Sequence, residues 1–169
     1  RTIYVSLEPC AHYGKTPPCA DLIIQSKIPR VVIGCADPFA KVNGLGIKKL
    51  QDAGCEVKVG VLESECLVLN HKFFTFHQKH RPWIILKWAQ SKDGFIGACD
   101  TRNRIQFSNA LTQTLVHRLR ARSGAILVGT RTAILDNPTL TTRYWTGANH
   151  LRLTIDRKGC LPENLHLLD

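Results

Sequence analysis

The sequence predicts an α/β fold made of two partial units, each with a mainly parallel sheet. Segments rich in β-branched residues alternate with segments of helical periodicity along the chain, as is typical of βαβ units. The alternation is interrupted once, by the polar and basic run QKHRP at 78–82, which ends in a proline. We therefore expect a domain boundary there, with one unit at 1–79 and a second at 80–169.

The first unit is predicted to begin with a strand at 2–7, TIYVSL, because β-branched and aromatic residues run up to the Glu8-Pro9 break. The elements expected after it are a helix at 20–26, a strand at 30–35, a turn at Asp37-Pro38, a helix opened by Gly44 and Gly46, a strand at 56–61 and a helix at 63–77. The last helix has a wide apolar face, which leaves a homo-oligomer open.

The second unit repeats the alternation of strands and helices. Its expected elements are a strand at 83–89, a turn at 92–94, a helix capped by Ser108 and running to about 122, a strand at 125–129, a helical turn at 130–135, a strand at 151–156 and a strand that begins near 165. It contains no GxGxxG segment, so an ordinary dinucleotide-binding motif is not predicted.

Composition narrows the class of protein. The chain has 169 residues, of which 44% are hydrophobic and 21% charged, enough to bury a core. Its apolar runs are far shorter than the roughly 20 residues of a membrane-spanning helix, and no signal peptide opens it. Its seven cysteines show no disulfide framework. We therefore expect a cytoplasmic protein without a membrane partner.

The formal net charge of +10 favours an anionic ligand. The basic residues are dispersed, and the densest run, HRLRAR at 117–122, contains no aromatic residue on which unpaired bases could stack. We therefore expect a small phosphorylated ligand and no nucleic acid as partner.

Two cysteines on a proline-stiffened loop suggest a metal site. The segment LEPCAHYGKTPPC at 7–19 places Cys10 and Cys19 directly after the first predicted strand. Hydrolytic zinc sites typically keep three protein ligands and one open position for water, and two thiolates could be two of those ligands. No His-x-Glu segment precedes them, so the pair is half of such a site.

This segment, together with the DP…V.G.G pattern at 37–46, resembles the zinc loop of the bifunctional deaminase/reductase family of riboflavin biosynthesis, in the cytidine-deaminase superfamily. The resemblance implies a partial cytidine-deaminase-like α/β/α sandwich. It also implies that Cys10 and Cys19 bind Zn²⁺ and that His12, Lys15 and Asp37 bind substrate. In that family the catalytic His-x-Glu comes earlier in the chain, so we expect it before Arg1 and expect these residues alone not to deaminate.

The second half resembles the reductase domain of the same family, which has a dihydrofolate-reductase-like α/β fold and takes hydride from NADPH. The matching strings are SKDG at 91–94 and DNPTLTTR at 136–143. The resemblance implies that Thr132 and Asp136 contact NADPH. It also implies that Arg120, Leu140 and Arg143 hold the ribose phosphate of a phosphorylated pyrimidine substrate.

The leading hypothesis is therefore a bifunctional enzyme: zinc-dependent hydrolytic deamination of a pyrimidine ribosylamino phosphate, and NADPH-dependent reduction of its ribose to a ribityl chain. Two alternatives stay open. A nucleic-acid-editing deaminase with a basic binding module is compatible with the charge, although it should interleave aromatic and basic residues. A zinc-stabilised interaction module should have four closed ligands, and no second cysteine pair has usable spacing.

Overall fold

The computed structural model describes residues 1–39, 42–97 and 105–169. It divides into two compact units, Arg1–Leu86 and Lys87–Asp169, which are described separately below. The division lies a few residues after the boundary expected from the sequence at 79 and 80. In the part of the chain that is described, no helix combines the length and the apolar character needed to cross a membrane.

The first unit is a three-stranded parallel sheet, in the order β1-β2-β3, with helices on both faces. The central strand β2 is buried along nearly its whole length, which explains its continuous apolar sequence. On one face Val31 and Ile33 pack against Ala20, Ile23 and Leu50 of two helices. The elements are β1 (Thr2–Leu7), α1 (Cys19–Gln25), β2 (Arg30–Cys35), α2 (Leu45–Asp52), β3 (Glu56–Val59), α3 (Glu63–Leu69) and α4 (His71–Lys79).

The second unit contains a two-stranded parallel sheet with its own core. The buried side chains of that core come from α6, the loop after it and residues 165–167. Its elements are α5 (Ala110–Ala121), β4 (Ala125–Val128), α6 (Thr130–Asp136) and β5 (Leu151–Thr154). Parallel strands that alternate with helices in both units confirm the α/β class predicted from the sequence.

Two predicted strands are wrong. Residues 83–89 form no strand, and Leu86 is 78% exposed. A strand needs a hydrogen-bonding neighbour, and within the described residues β4 and β5 pair only with each other. Residues near 165 form turns instead, in which Leu165 and Leu167 are buried without sheet pairing. The apolar sequence near 165 therefore indicates that side chains are buried, and it does not indicate that the backbone pairs in a sheet.

Two helix ends also differ from expectation. The helix predicted at 63–77 is two helices, because Asn70 ends α3 and its side-chain amide donates to the Cys66 carbonyl at 2.9 Å. The cap of α5 is Asn109 instead of Ser108: the Thr112 amide donates to Asn109 Oδ1 at 2.9 Å. Both departures follow from the ability of asparagine side chains to satisfy free backbone groups at helix ends.

Candidate functional site

The cysteine loop joins the end of β1 to the start of α1 and brings its two thiols together. The backbone amide of Cys19 donates to Cys10 Sγ at 3.3 Å, and the amide of Ala20 donates to the Cys10 carbonyl at 3.2 Å. Burial, a hydrogen bond to Cys10 and the charge of Cys10 raise the pKa of the Cys19 thiol. Two thiols this close resist joint ionisation, and a bound cation would be needed to hold both as thiolates.

A buried carboxylate, that of Glu8, fixes the backbone between the end of β1 and Cys10. Glu8 is 4% exposed, and its two carboxylate oxygens accept four backbone N–H groups. Oε2 accepts from Asp37 at 3.2 Å and Gly44 at 3.0 Å, and Oε1 accepts from Gly46 at 3.0 Å and Ile47 at 3.2 Å. Three of these donors lie at the start of α2, so the carboxylate also satisfies free amides at that helix N-terminus.

This tie requires a very close approach of two backbone segments. A Cβ on Gly46 would overlap the carbonyl oxygen of Pro9, so no larger residue fits there. Gly44 has a φ of +85°, in the left-handed region that favours glycine. From the sequence, Gly44 and Gly46 were expected at the helix start, but no role was expected for Glu8. Its partners lie 29 to 39 residues away in the chain, so no local pattern reveals them.

A cavity of about 610 Å³ lies against the cysteine loop, within the first unit. Of the residues expected to bind substrate there, His12 and Asp37 line it together with Cys10 and Cys19, while Lys15 is exposed and outside its lining. The Nδ1 atom of His12 is buried and has no hydrogen-bond partner among the described residues, which leaves it available to a ligand. Asp37 is buried, and its Oδ1 accepts the Phe39 amide at 2.8 Å.

Aromatic rings that the sequence analysis did not assign form another part of the cavity wall. The His77 ring lies 4.3 Å from the Phe73 ring and 4.9 Å from the Phe39 ring, between centroids. All three residues line the cavity. Phe73 and His77 are four residues apart on α4, so helical spacing could have paired them, but only the fold brings Phe39 to them.

The predicted metal ligands form a pair and not a complete site. Cys10 and Cys19 are adjacent, but nowhere in 1–39, 42–97 and 105–169 do three or more His, Cys, Asp or Glu side chains form a group able to hold a metal ion. The two thiols fit a zinc ion as two of its ligands, and the described residues do not complete the set.

In the second unit, two arginines converge on one loop. Arg120 Nη1 donates to the Thr141 carbonyl at 3.1 Å, and Arg143 Nη1 donates to the Thr141 hydroxyl at 2.9 Å. Arg143 Nη1 also donates to the Thr139 hydroxyl. Within the described residues neither guanidinium forms an ion pair with a carboxylate. The two arginines are therefore held in place by uncharged groups, and their charges are not neutralised.

Two histidines lie in the same positive environment. Burial first, then the charges of Arg120 and Arg143, lower the pKa of His117. Burial and Arg120 likewise lower the pKa of the buried His150, and a hydrogen bond with the Leu140 backbone opposes that shift. The pKa of Arg120 itself is lowered by burial and by Arg143. We call these four residues the basic cluster: His117, Arg120, Arg143 and His150.

The loop that carries Arg143 has an unusual backbone. Leu140 has a φ of +52° although it is not glycine, and Asn137 has a φ of +37°. Leu140 is 5% exposed and packs in the core of the unit, so burial of its side chain holds this conformation. The buried side chain of Leu140 therefore anchors the loop to the core, while Arg143 of the same loop is exposed.

Thr132 and Asp136, the residues expected to contact NADPH, are one helical turn apart on α6. Both are exposed, whereas Ala133 between them is fully buried. They therefore share the face of the helix that points away from the core. A second cavity in this unit, of about 390 Å³, is lined by Lys87, Gln90 and Ser108 among others, none of which was expected from the sequence to bind a ligand.

Comparison with protein families matches residues 82–169 to the family described as the RibD C-terminal domain. Over 169 residues the chain is 42% identical to the riboflavin biosynthesis protein RibD of Aquifex aeolicus, covering 99% of this chain and 47% of that protein. It is 43% identical to RibD of Synechocystis sp., covering 99% of this chain and 45% of that protein. The chain thus spans about half the length of the curated relatives it matches.

Two solved structures resemble the chain. Acinetobacter baumannii RibD, form 1, has a TM-score of 0.91 and 35% sequence identity, covering 99% of this chain and 48% of that one. A deaminase/reductase from Thermotoga maritima, diaminohydroxyphosphoribosylaminopyrimidine deaminase/5-amino-6-(5-phosphoribosylamino)uracil reductase, has a TM-score of 0.81 and 45% identity, covering 91% of this chain and 43% of that one.

Proposed function

The chain belongs to the RibD family of riboflavin biosynthesis proteins, and we propose that its second unit takes part in the NADPH-dependent reduction of the ribose of a phosphorylated pyrimidine to a ribityl chain. One observation carries this proposal: Arg120 and Arg143 converge on Thr141 without a carboxylate partner among the described residues. A ribose phosphate is an anion of the size and charge that such a pair binds.

The geometry favours a phosphate over a single carboxylate. Each guanidinium uses Nη1 to hold the loop, and the buried Nε of Arg120 has no partner within the part of the chain that the structure describes. The remaining N–H groups of two guanidiniums exceed what one carboxylate can accept, whereas a phosphate can accept bidentate bonds from both. Since each arginine raises the electrostatic cost of the other, a bound dianion would relieve that repulsion.

NADPH would supply the hydride, and Thr132 and Asp136 would contact that cofactor. The contribution of this chain to the reaction is then positioning: Arg120 and Arg143 would fix the phosphate end of the sugar, and Leu140 would support the loop that holds it. Fixing the sugar at its phosphate would limit the positions of its reacting carbon, and such positioning contributes to rate when the cofactor carries the chemistry.

The test separates substrate binding from cofactor binding in the intact protein. Arg143→Ala should raise the KM for the phosphorylated substrate by roughly tenfold or more, because a charge-assisted bond contributes about 1.5–3 kcal/mol. The KM for NADPH should change little, as followed by the loss of its absorbance. Lys158→Ala, an exposed basic residue near the end of β5, is the charge-matched control. An equal rise in both KM values would remove the phosphate-binding role of Arg143.

For the first unit, the cysteine pair supports a second activity, zinc-dependent deamination of the same class of pyrimidine. Cys10 and Cys19 would supply two ligands of a zinc ion, and His12, Lys15 and Asp37 would bind substrate. When bound, zinc would lower the pKa of a water molecule for hydrolysis. The cavity beside the two thiols is large enough for a pyrimidine ring, and the unpartnered His12 Nδ1 offers such a ring a hydrogen bond.

Metal analysis tests this second activity. The purified intact protein should contain about one zinc per chain, and Cys10→Ser or Cys19→Ser should lower the zinc content strongly, because each removes a ligand. Cys160→Ser, an exposed cysteine in the other unit, is the control and should keep the metal. Zinc content that is unchanged in both ligand variants would contradict the assignment of the pair.

The nucleic-acid alternative gains one observation from the fold. Trp145 lies 5.4 Å from the Arg118 guanidinium and Tyr144 lies 5.9 Å from that of Arg143, so aromatic and basic side chains do meet in space. Titration with a fluorescent single-stranded oligonucleotide at 150 mM salt addresses this alternative. Binding tighter than micromolar that Trp145→Ala and Arg118→Ala both weaken would favour it over a small substrate.

A further inference from the structure

His117 is a buried residue of α5 that contacts the loop carrying Arg143. The residue is 4% exposed and lies on α5, three positions before Arg120 and therefore on the same side of the helix. Its Nδ1 atom lies 2.8 Å from the backbone nitrogen of Arg143. The Tyr144 ring packs edge-on against the imidazole, with 4.7 Å between ring centroids.

This contact fixes the protonation state of the imidazole. A backbone N–H can only donate, so His117 Nδ1 must accept, and the ring must be neutral with its hydrogen on Nε2. The charged groups that face the ring agree with a neutral state, since Arg120 on its own helix and Arg143 on the loop both disfavour a further positive charge. Tyr144 is the titratable group that packs against the ring from the loop.

The conformation of this loop depends on contacts with other elements. Its backbone passes through positive φ at Asn137 and Leu140, conformations that cost about 1 kcal/mol or more for residues other than glycine. Among the described residues, the side chain of Arg143 forms its hydrogen bonds with the hydroxyls of Thr139 and Thr141, within the loop itself. The bond to His117 Nδ1 ties the backbone of Arg143 itself to another element, α5.

We propose that His117 is a positioning residue of the phosphate site: its neutral ring holds the backbone of Arg143, and through it sets the guanidinium that binds the phosphate group of the substrate. The inference rests on the proposed function of the basic cluster. It assigns His117 no contact with the substrate, so the residue acts through Arg143.

The test compares three variants of His117 in the intact protein. Asparagine places an amide oxygen near the position of Nδ1 and can still accept the Arg143 N–H, whereas leucine cannot accept at all and glutamine places its amide nearer to Nε2. Against the phosphorylated substrate, His117→Leu should raise KM roughly tenfold with little change in kcat, and His117→Asn should recover most of that loss. Gln113→Leu, one turn earlier on α5, is the control and should match the unsubstituted protein.

Amide hydrogen exchange gives a readout that does not depend on activity. The Arg143 amide should exchange roughly tenfold faster in His117→Leu and return to its original rate in His117→Asn. If His117→Leu does not fold, His117→Gln takes its place with the same expected results. Equal KM values and equal Arg143 exchange rates in the asparagine and the leucine or glutamine variants would overturn the positioning role.

Titration with inorganic phosphate separates this inference from the proposed function. If the unsubstituted protein binds phosphate and His117→Leu or His117→Gln binds it several-fold more weakly, both stand. If the unsubstituted protein binds it and neither variant is weaker, His117 is not a positioning residue. If the unsubstituted protein does not bind phosphate and Arg143→Ala has an unchanged KM, the phosphate site itself is wrong.

Discussion

The cysteine loop and the basic cluster differ in how the charges in each region are compensated. In the first unit, the buried carboxylate of Glu8 accepts four backbone N–H groups, so its charge is satisfied within the fold. In the second unit, the partly buried Arg120 and the buried His150 lie beside other positive charges, and Arg120 Nε has no hydrogen-bond partner among the described residues. The first arrangement is complete and rigid, whereas the second lacks an anion that a ligand can supply.

The difference indicates what each region can tolerate. A satisfied buried charge stabilises the fold only while every partner stays in place, so substitutions around Glu8 should cost folding stability. An unsatisfied positive cluster costs stability in the absence of ligand, so substitutions there should cost binding more than folding.

The largest effect is expected for Gly46→Ala. The new methyl group would overlap the carbonyl oxygen of Pro9, which is itself fixed next to Glu8, so two backbone segments would have to move apart. We expect a loss of more than about 3 kcal/mol in the free energy of unfolding of the first unit, measured by chemical denaturation. Gly14→Ala has open space around the new methyl group and should be nearly neutral. Equal stability of the two variants would show that the tie at Glu8 is not rigid.

The next effect in size is expected for Glu8→Gln. The substitution removes the charge and turns one acceptor oxygen into an NH₂ group that faces two backbone donors, so two of the four bonds are lost. We expect a loss of about 2–4 kcal/mol in the free energy of unfolding. Glu56→Gln, whose carboxylate is exposed and paired with Arg30, should change it by less than about 0.5 kcal/mol. A small effect at Glu8 would contradict the contrast between the two regions.

Several parts of these two regions were predictable from the sequence, and the reasons differ. The bounds of β1 and β2 were predicted residue for residue, because β-branched runs between clear breaks are a local signal. The strand expected at 83–89 was wrong, because pairing depends on a neighbour that the run itself does not specify. The role of Glu8 was missed for the same reason: its partners are distant in the chain.

The site residues likewise divide into those that a local motif indicates and those that only the tertiary structure shows. The resemblance to a known family supplied Arg120, Leu140 and Arg143, and the fold places all three at one loop. His117 gave no such signal, because a histidine in the run HRLRAR is indistinguishable from a solvated basic residue until its burial is known. Short motifs therefore indicated the groups that are expected to touch ligands, whereas the contact between His117 and the Arg143 backbone became visible only in the tertiary structure.

The pH dependence of stability should differ between the units. The folded-state pKa values of His117 and His150 lie below the unfolded value near 6.5, so the unfolded chain binds more protons as the pH falls. Stability from these neutral imidazoles is fully present above pH 6.5 and is lost as the pH falls toward their folded pKa values. The slope can reach about 1.4 kcal/mol per pH unit for each histidine.

Unfolding of the second unit between pH 7.5 and 5 measures this loss, and His117→Asn should flatten the profile because asparagine does not titrate. Added phosphate should restore part of the lost stability, since it binds only the folded cluster. A profile that is equally steep with and without the histidine would mean that His117 takes up a proton as readily in the folded as in the unfolded state, contrary to its bond with the Arg143 amide.

The smallest effect is expected at the cap of α5, the helix that carries His117 and Arg120. Asn109→Ala removes the side-chain oxygen that accepts the Thr112 amide and should cost about 1 kcal/mol, measured by thermal unfolding. Ser108→Ala should cost almost nothing, because the backbone places Asn109 at the cap. Since the cap lies two turns from His117, Asn109→Ala should leave phosphate affinity unchanged in the folded protein. A loss of affinity as large as that of His117→Leu would mean that the basic cluster depends on the helix as a whole and not on the tie to Arg143.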